Sequence, residues 1–226
     1  DWSVFLPEEL DNARVLTHTS IDPNNPNRVY ISSYADGLLI FENESLVIRL
    51  DQTNSGIEGI GNSLNDNRIG SSVFTPNGDL YFSNSITDNP IKKLTADGTV
   101  ESVNLSSVVS DPQSFSSGEI VSDAQGNLYL GTRPAGIIAY QPSTNLAGRI
   151  SSEITGVDFP QVTNANPAIN ALAIDNSNRL WIGTSDGLRV MFNPSSVFSS
   201  NNLNVSPIII VEDDGVAQEL LFEQAI

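Results

Sequence analysis

The sequence predicts an all-β protein, a β-propeller of four-stranded antiparallel blades, and three observations carry that expectation. An aromatic strand recurs four times, at intervals of 51, 48 and 52 residues, which is the repeat length of propeller blades and not of helical solenoids. Each recurrence follows a short apolar segment and a polar turn, and leads through a glycine or proline turn into another apolar segment. Charged residues make up only 16% of the chain. Its polarity therefore rests on Ser, Asn, Thr and Gly, a composition suited to short strands and turns.

The aromatic anchors are Tyr30 in NRVYISS, Tyr81 in GDLYFSN, Tyr129 in GNLYLGT and Trp181 in NRLWIGT. Ahead of each stands a first strand ending in a turn: THTSIDPNNPN, SSVFTPNG, EIVSDAQG and ALAIDNSN. Asp22, Asp123 and Asp175 open three of these turns and Thr75 the other, where a short oxygen side chain can bond the backbone two residues on. The third strands read LLIF, IKKL, IIAY and LRVMF. Asp36-Gly37 and Asp186-Gly187 are hairpin signals, and a type I′ turn with positive φ at both central residues is expected there. Outer strands follow at LVIRL (46–50), VESVNL (100–105) and PIIIV (207–211), with the third poorly marked within AGRISSEI.

The expected blades thus cover about 13–50, 68–105, 117–155 and 168–212 of a single partial propeller spanning 1–226. Each aromatic anchor is expected to be largely buried between blades. Because propellers close with roughly four to eight blades, the four blades and their terminal strands read as part of a larger ring. WSVFLP (2–7) is expected to be the outer strand of a preceding blade, and 213–226 the lead into a following one, with ELLFEQAI (219–226) as its first strand. The chain begins at Asp1, the form a processed product takes.

Charge narrows the function. The net charge is −17, from 27 acids and 10 bases, which opposes nucleic-acid binding and adhesion to an anionic membrane. No segment has the roughly 20 apolar residues of a transmembrane helix. The absence of cysteine removes disulfides, thiolate metal sites and Cys nucleophiles.

Catalytic chemistry finds little to build on. His18 is the one histidine, and its repeat equivalents are Ser71, Glu119 and Ala171, so it reads as structural. The nucleophile-elbow pattern G-x-S-x-G does not occur, and zinc would have to bind through His18 and carboxylates alone. Among the acids nothing singles out a glycosidase pair. Asp22-Pro23-Asn24-Asn25, Asn65-Asp66-Asn67 and Glu212-Asp213-Asp214 cluster oxygen atoms without EF-hand spacing, and read as turns or a solvated loop. Gly59-Ile60-Gly61 lacks the third glycine of a dinucleotide motif and reads as a loop. The residues therefore predict no enzyme, no catalytic or metal-binding residue and no cofactor, and leave the ligand-binding residues unassigned.

The units INALAIDNSNRLWIGTSDGL and GNLYLGT resemble the two-component-regulator propeller repeat of surface and periplasmic proteins in Bacteroidetes-type bacteria. WIGTSDGLRVMFNPSSVF, PIIIVEDDGVAQELLFEQAI, IDPNNPNRVYISSYADGLLIFEN and SNSITDNPIKKLTADG further resemble the PorZ-like family of type IX secretion components. This resemblance implies a non-enzymatic propeller in the periplasm or at the outer-membrane surface of a Gram-negative bacterium. It implies a role in attaching secreted cargo to anionic lipopolysaccharide, with a secretion or sortase-like protein, lipopolysaccharide or another glycan as partner. Family members carry two propellers and a sorting domain, so the resemblance implies an excerpt. The other reading is a glycan-sensing periplasmic propeller of a hybrid two-component regulator.

Overall fold

The computed structural model describes residues 4–61, 63, 66–134, 136–151, 168–184, 187–199, 203–211, 215 and 217–220. Four antiparallel sheets of four strands each follow one another along the chain, every one a simple meander. The first holds β1 (Leu16–Asp22), β2 (Asn25–Ser33), β3 (Gly37–Glu42) and β4 (Ser45–Leu50). The second holds β5 (Ile69–Phe74), β6 (Leu80–Asn84), β7 (Ile91–Leu94) and β8 (Val100–Ser102). The third holds β9 (Ser116–Ser122), β10 (Leu128–Arg133), β11 (Gly136–Gln141) and β12 (Leu146–Ile150). The fourth holds β13 (Ile169–Ile174), β14 (Leu180–Thr184), β15 (Gly187–Met191) and β16 (Ser206–Pro207).

These blades fall into two compact units, residues 1–105 with 109–117, and 106–108 with 118–226. In the first unit the first strands of the two blades, β1 and β5, are tied by side-chain hydroxyls. Thr17 Oγ donates to the Ile69 carbonyl at 3.2 Å, and Ser20 Oγ to that of Ser72 at 2.8 Å. Between the two blades Tyr30, Leu38, Ile69 and Phe82 form a core. In the second unit Glu119 accepts the Leu172 amide at 2.7 Å, and Tyr129, Ile137, Ile169 and Leu180 pack together. β6 and β10 are buried almost throughout, without the apolar–polar alternation of a strand that is exposed on one face.

The recurring motif can now be read position by position. All four aromatics lie on second strands, in β2, β6, β10 and β14. Tyr30, Tyr81 and Tyr129 are buried, whereas Trp181 is only half-buried, short of the expectation. The position two residues later is small (Ser32, Ser83, Gly131, Gly183), and at Gly131 the neighbouring blade packs on it. A Cβ on Gly131 would meet Ile169 Cγ2 at 2.7 Å. In the third and fourth blades the last position carries a hydroxyl that closes the hairpin. Thr132 Oγ donates to the Gly136 carbonyl at 2.6 Å, and Thr184 Oγ to that of Gly187 at 2.8 Å.

At the β2–β3 turn Gly37 has φ +95°, while Asp36 is not in the left-handed region, so a type I′ turn does not form. The Asp36 carboxylate instead accepts the Arg14 amide at 2.7 Å and its guanidinium at 2.8 and 3.1 Å. Asp186 lies outside the described residues. A Cβ on Gly37 would stand 2.1 Å from the Leu50 carbonyl oxygen, and one on Gly136 (φ +82°) 2.3 Å from that of Ile150. Gly136→Ala is accordingly expected to cost about 2–3 kcal/mol, read as a lowered urea midpoint, with Gly98→Ala milder because its Cβ would meet no atom within 4 Å.

The chain's N-terminal flank differs from the strand expected of it. Val4–Leu6 pair with no described strand, and Pro7–Leu10 form a 3-10 turn closed by Glu9, whose carboxylate accepts the Leu6 amide at 2.6 Å. Phe5 packs edge-on against Phe41 at 5.5 Å, and Asp11 pairs with Arg49 at 3.2 Å. Proline and two positive-φ residues, Asp11 and Asn12, break extended pairing here. Of PIIIV, Pro207 ends the outer strand β16, while β17 (Ile209–Val211) turns away and pairs with β18 (Ala217–Glu219) in a separate hairpin. The third outer strand is Leu146–Ile150, and four of its five residues fall in the AGRISSEI stretch expected to hold it. Residues 1–3 and 221–226 lie outside the described residues.

Candidate functional site

Asp123 and Asp175 show what the turn-opening aspartate does when its repeat is regular. Asp123 Oδ1 accepts the amides of Gln125 and Asn127, each at 2.9 Å. Its Oδ2 accepts Asn127 Nδ2 at 2.7 Å and the Tyr129 hydroxyl at 3.0 Å. Asp175 Oδ1 likewise accepts the Ser177 and Arg179 amides, and its Oδ2 takes Arg179 Nε at 2.6 Å and Trp181 Nε1 at 2.9 Å. Burial, and then the Asp123 charge, push the Tyr129 phenol well above its ordinary value. The Trp181 indole N–H, followed by the Arg179 amide, holds the Asp175 carboxyl well below the usual carboxylate range.

Because its folded pKa is depressed, Asp175 adds stability that is present above its unfolded pKa of about 3.9 and lost as pH falls through the folded value. The expected result is that Asp175→Asn is less stable than the parent at neutral pH, and that the gap narrows as pH drops below about 4. Urea denaturation at a series of pH values reads it directly.

The first blade breaks this rule. From Asp22 to Tyr30 is eight residues, against six from Asp123 to Tyr129 and from Asp175 to Trp181. Among the described residues Asp22 Oδ1 accepts only the Asn24 amide, at 2.8 Å. Arg28, the counterpart of Arg179, turns instead to Glu42 at 2.9 Å. Where the carboxylate fails to close on the aromatic, a crevice of about 410 Å³ opens between the first two blades. Asp22, Asn24, Arg28, Glu42 and Asp79 line it with polar atoms, and Tyr30, Ile40, Phe74 and Leu94 with apolar ones. That is the size and mixed lining of a small-ligand site.

A second, more open basin of about 540 Å³ lies beside the β2–β3 turn. Arg68 is fixed there by Asp66 at 2.8 and 2.9 Å and stands 5.6 Å from the Tyr34 ring centre. Val15 also lines it, with φ +50°, an uncommon conformation for a β-branched residue. Its carbonyl accepts the Tyr34 amide at 2.9 Å, which helps hold that conformation.

The residues singled out from sequence do not converge. His18 sits half-buried in β1 opposite Ser32, as Ala171 sits opposite Gly183, each facing the residue two past its aromatic. Asn25 Oδ1 accepts the Asn27 amide at 3.2 Å, so the Asp22–Asn25 cluster is turn chemistry. Asp66 is occupied by Arg68, and Asn67 Oδ1 accepts the Gln52 amide at 3.0 Å. Asn65 and Glu212–Asp214 lie outside the described residues. Gly59 sits in a loop where a Cβ would collide with Gln52 Oε1. Among the described residues no three His, Cys, Asp or Glu side chains gather to hold a metal.

Sequence reasoning missed one feature entirely. Lys92, at the core of the second blade, is fully buried, with its Nζ 2.5 Å from Glu58 Oε1 and 2.7 Å from Ser102 Oγ. Burial pulls the lysine below its ordinary pKa while Glu58 pulls it back up. The signal was the alignment itself: opposite the residue after each aromatic stand Leu39, Lys92, Ile138 and Arg189, two aliphatic residues and two buried cations.

The blades and their order are those of a β-propeller, and the family model for the two component regulator propeller matches residues 164–186. Among solved structures its fold is similar to PorZ of Porphyromonas gingivalis, a surface component of the type-IX secretion system, at a TM-score of 0.74 and 16% identity, covering 91% of this chain and 28% of PorZ. It is also similar to the extracellular domain assigned to a hybrid two component system of B. thetaiotaomicron, at 0.61 and 20% identity, covering 92% of this chain and 24% of that one. A GH74 enzyme of Niastella koreensis shares the fold at 0.55 and 21% identity, over 77% of this chain and 27% of the enzyme. The chain thus spans less than a third of each of these proteins. No curated protein sequence matches it.

Proposed function

We propose that this chain is part of a non-enzymatic, extracytoplasmic propeller that works by binding, as a PorZ-like surface component of type IX secretion. In that role it would help attach secreted cargo to lipopolysaccharide, through a secretion or sortase-like protein or through the glycan itself. The observation that carries the binding reading is the crevice at Asp22, a cavity of ligand size at the place where one repeat departs from its own rule. No described helix is long and apolar enough to cross a membrane, which fits a blade protein held at a surface by its contacts.

The matched repeat and the two component system neighbour favour a second reading, a propeller that senses a glycan for a hybrid regulator. Deleting the gene in its host separates the two. The secretion reading predicts that cargo is no longer retained on cells while transcription is little changed, and that the purified chain captures cargo or lipopolysaccharide. The sensor reading predicts intact cargo attachment and a lost transcriptional response to a glycan. Turnover of a glycan by the purified chain would contradict both.

A further inference from the structure

The crevice between the first two blades has a chemistry specific enough to name its occupant. Two ion pairs on its rim satisfy themselves, Arg28 with Glu42 at 2.9 Å and Lys93 with Asp79 at 3.0 Å. Asp22 remains. Among the described residues no ion pair engages it, and its one hydrogen bond is to the Asn24 amide. Of the carboxylates and cations that line the crevice, Asp22, Glu42 and Asp79 stand against Arg28. The cavity therefore carries surplus negative charge above apolar walls from Ile40, Phe74 and Leu94.

That pairing of features selects a cation on an apolar stem. A neutral sugar needs donors and acceptors in alternation, and here the rim's cationic donors are already engaged by Glu42 and Asp79. The apolar wall also continues outside the cavity. Val47 and Ile48 on the outer strand β4 line the crevice and are 60% and 41% exposed. A free amine would leave that shelf empty, whereas a polypeptide entering along β4 covers it.

We infer that the crevice receives a lysine or arginine side chain of a partner protein, its methylenes along Ile40 and Phe74 and its charge at Asp22. The inference rests on the binding reading above and gives that reading a contact residue.

The test is an NMR titration of the full 226-residue chain with Nα-acetyl-lysine methylamide, followed on backbone amides. The expected result is saturable shifts at Asn24, Gly78 and Gly98, with a dissociation constant of roughly 1 mM or somewhat below, as befits one side chain. The Nε-acetylated analogue, which keeps the stem and loses the charge, should leave these amides unmoved. Asp22→Asn should weaken binding about tenfold, while Glu8→Gln, on the Pro7–Leu10 turn, should not. Equal shifts with the acetylated analogue, no shift at these amides, or a response there to methyl glucoside in place of the amine would each overturn the assignment. If the titration fails while the chain still captures cargo or lipopolysaccharide, only the crevice assignment falls. If capture fails as well, the binding reading falls with it.

Discussion

Glu58→Ala is expected to destabilise the protein by about 3–5 kcal/mol, because it leaves the Lys92 charge buried without its partner. Glu58 sits in the connection between the first two blades. Its main chain is clasped by Asn84, which accepts the Glu58 amide at 2.8 Å and donates to its carbonyl at 3.0 Å. Its carboxylate takes Asn89 Nδ2 at 2.8 Å as well as Lys92. The loss should be largely recovered in Glu58→Ala/Lys92→Met, which exchanges the pair for apolar volume. The pH dependence has a definite sign. A lysine whose folded pKa lies below its unfolded one binds fewer protons folded than unfolded between the two values, so stability rises with pH across that interval. Removing Glu58 removes what lifts the folded pKa, and the rise should begin at lower pH than in the parent. Urea midpoints of the parent, single and double variants from neutral to alkaline pH read all three expectations.

Tyr129→Ala is expected to cost about 3–5 kcal/mol, the range for deleting a buried aromatic. Tyr129→Phe isolates the hydroxyl. It keeps the packing but takes one donor from Asp123, which is 1% exposed, and should cost about 1–3 kcal/mol. Trp181 is only half-buried, with Arg179 5.5 Å from its ring centre, so Trp181→Ala should cost less than Tyr129→Ala. Equal losses at the two positions would mean that the anchors work by something other than burial.

The repeat was legible because it is local. Anchor spacing, turn aspartates and the Gly-Thr of GNLYLGT and NRLWIGT each report a contact made within one blade or with the next. What stayed hidden depends on contacts that sequence spacing does not mark. Lys92 in IKKL looks like a surface residue until Glu58, 34 positions earlier, is brought to it. The type I′ expectation at Asp36-Gly37 failed because Arg14, 22 residues upstream, claims the aspartate. WSVFLP looked like a strand on composition, but Pro7 and the Glu9 cap bend its described part against Phe41. The crevice lies between these cases. The longer step from Asp22 to Tyr30, with its prolines Pro23 and Pro26, is visible in the sequence, but that it opens a cavity follows only once both blades are in place.

On the binding reading the repeated motif is architecture, and binding resides where the first copy departs from it. Replacing the longer turn Asp22–Arg28 with the sequence of the regular turn Asp175–Arg179, DNSNR, tests this most directly, by measuring thermal stability and lysine-analogue binding on the same protein. The account predicts a melting temperature close to or above the parent's, since the carboxylate can then close on Tyr30, together with loss of binding. A chain with the regular turn that still binds the analogue as the parent does would contradict it.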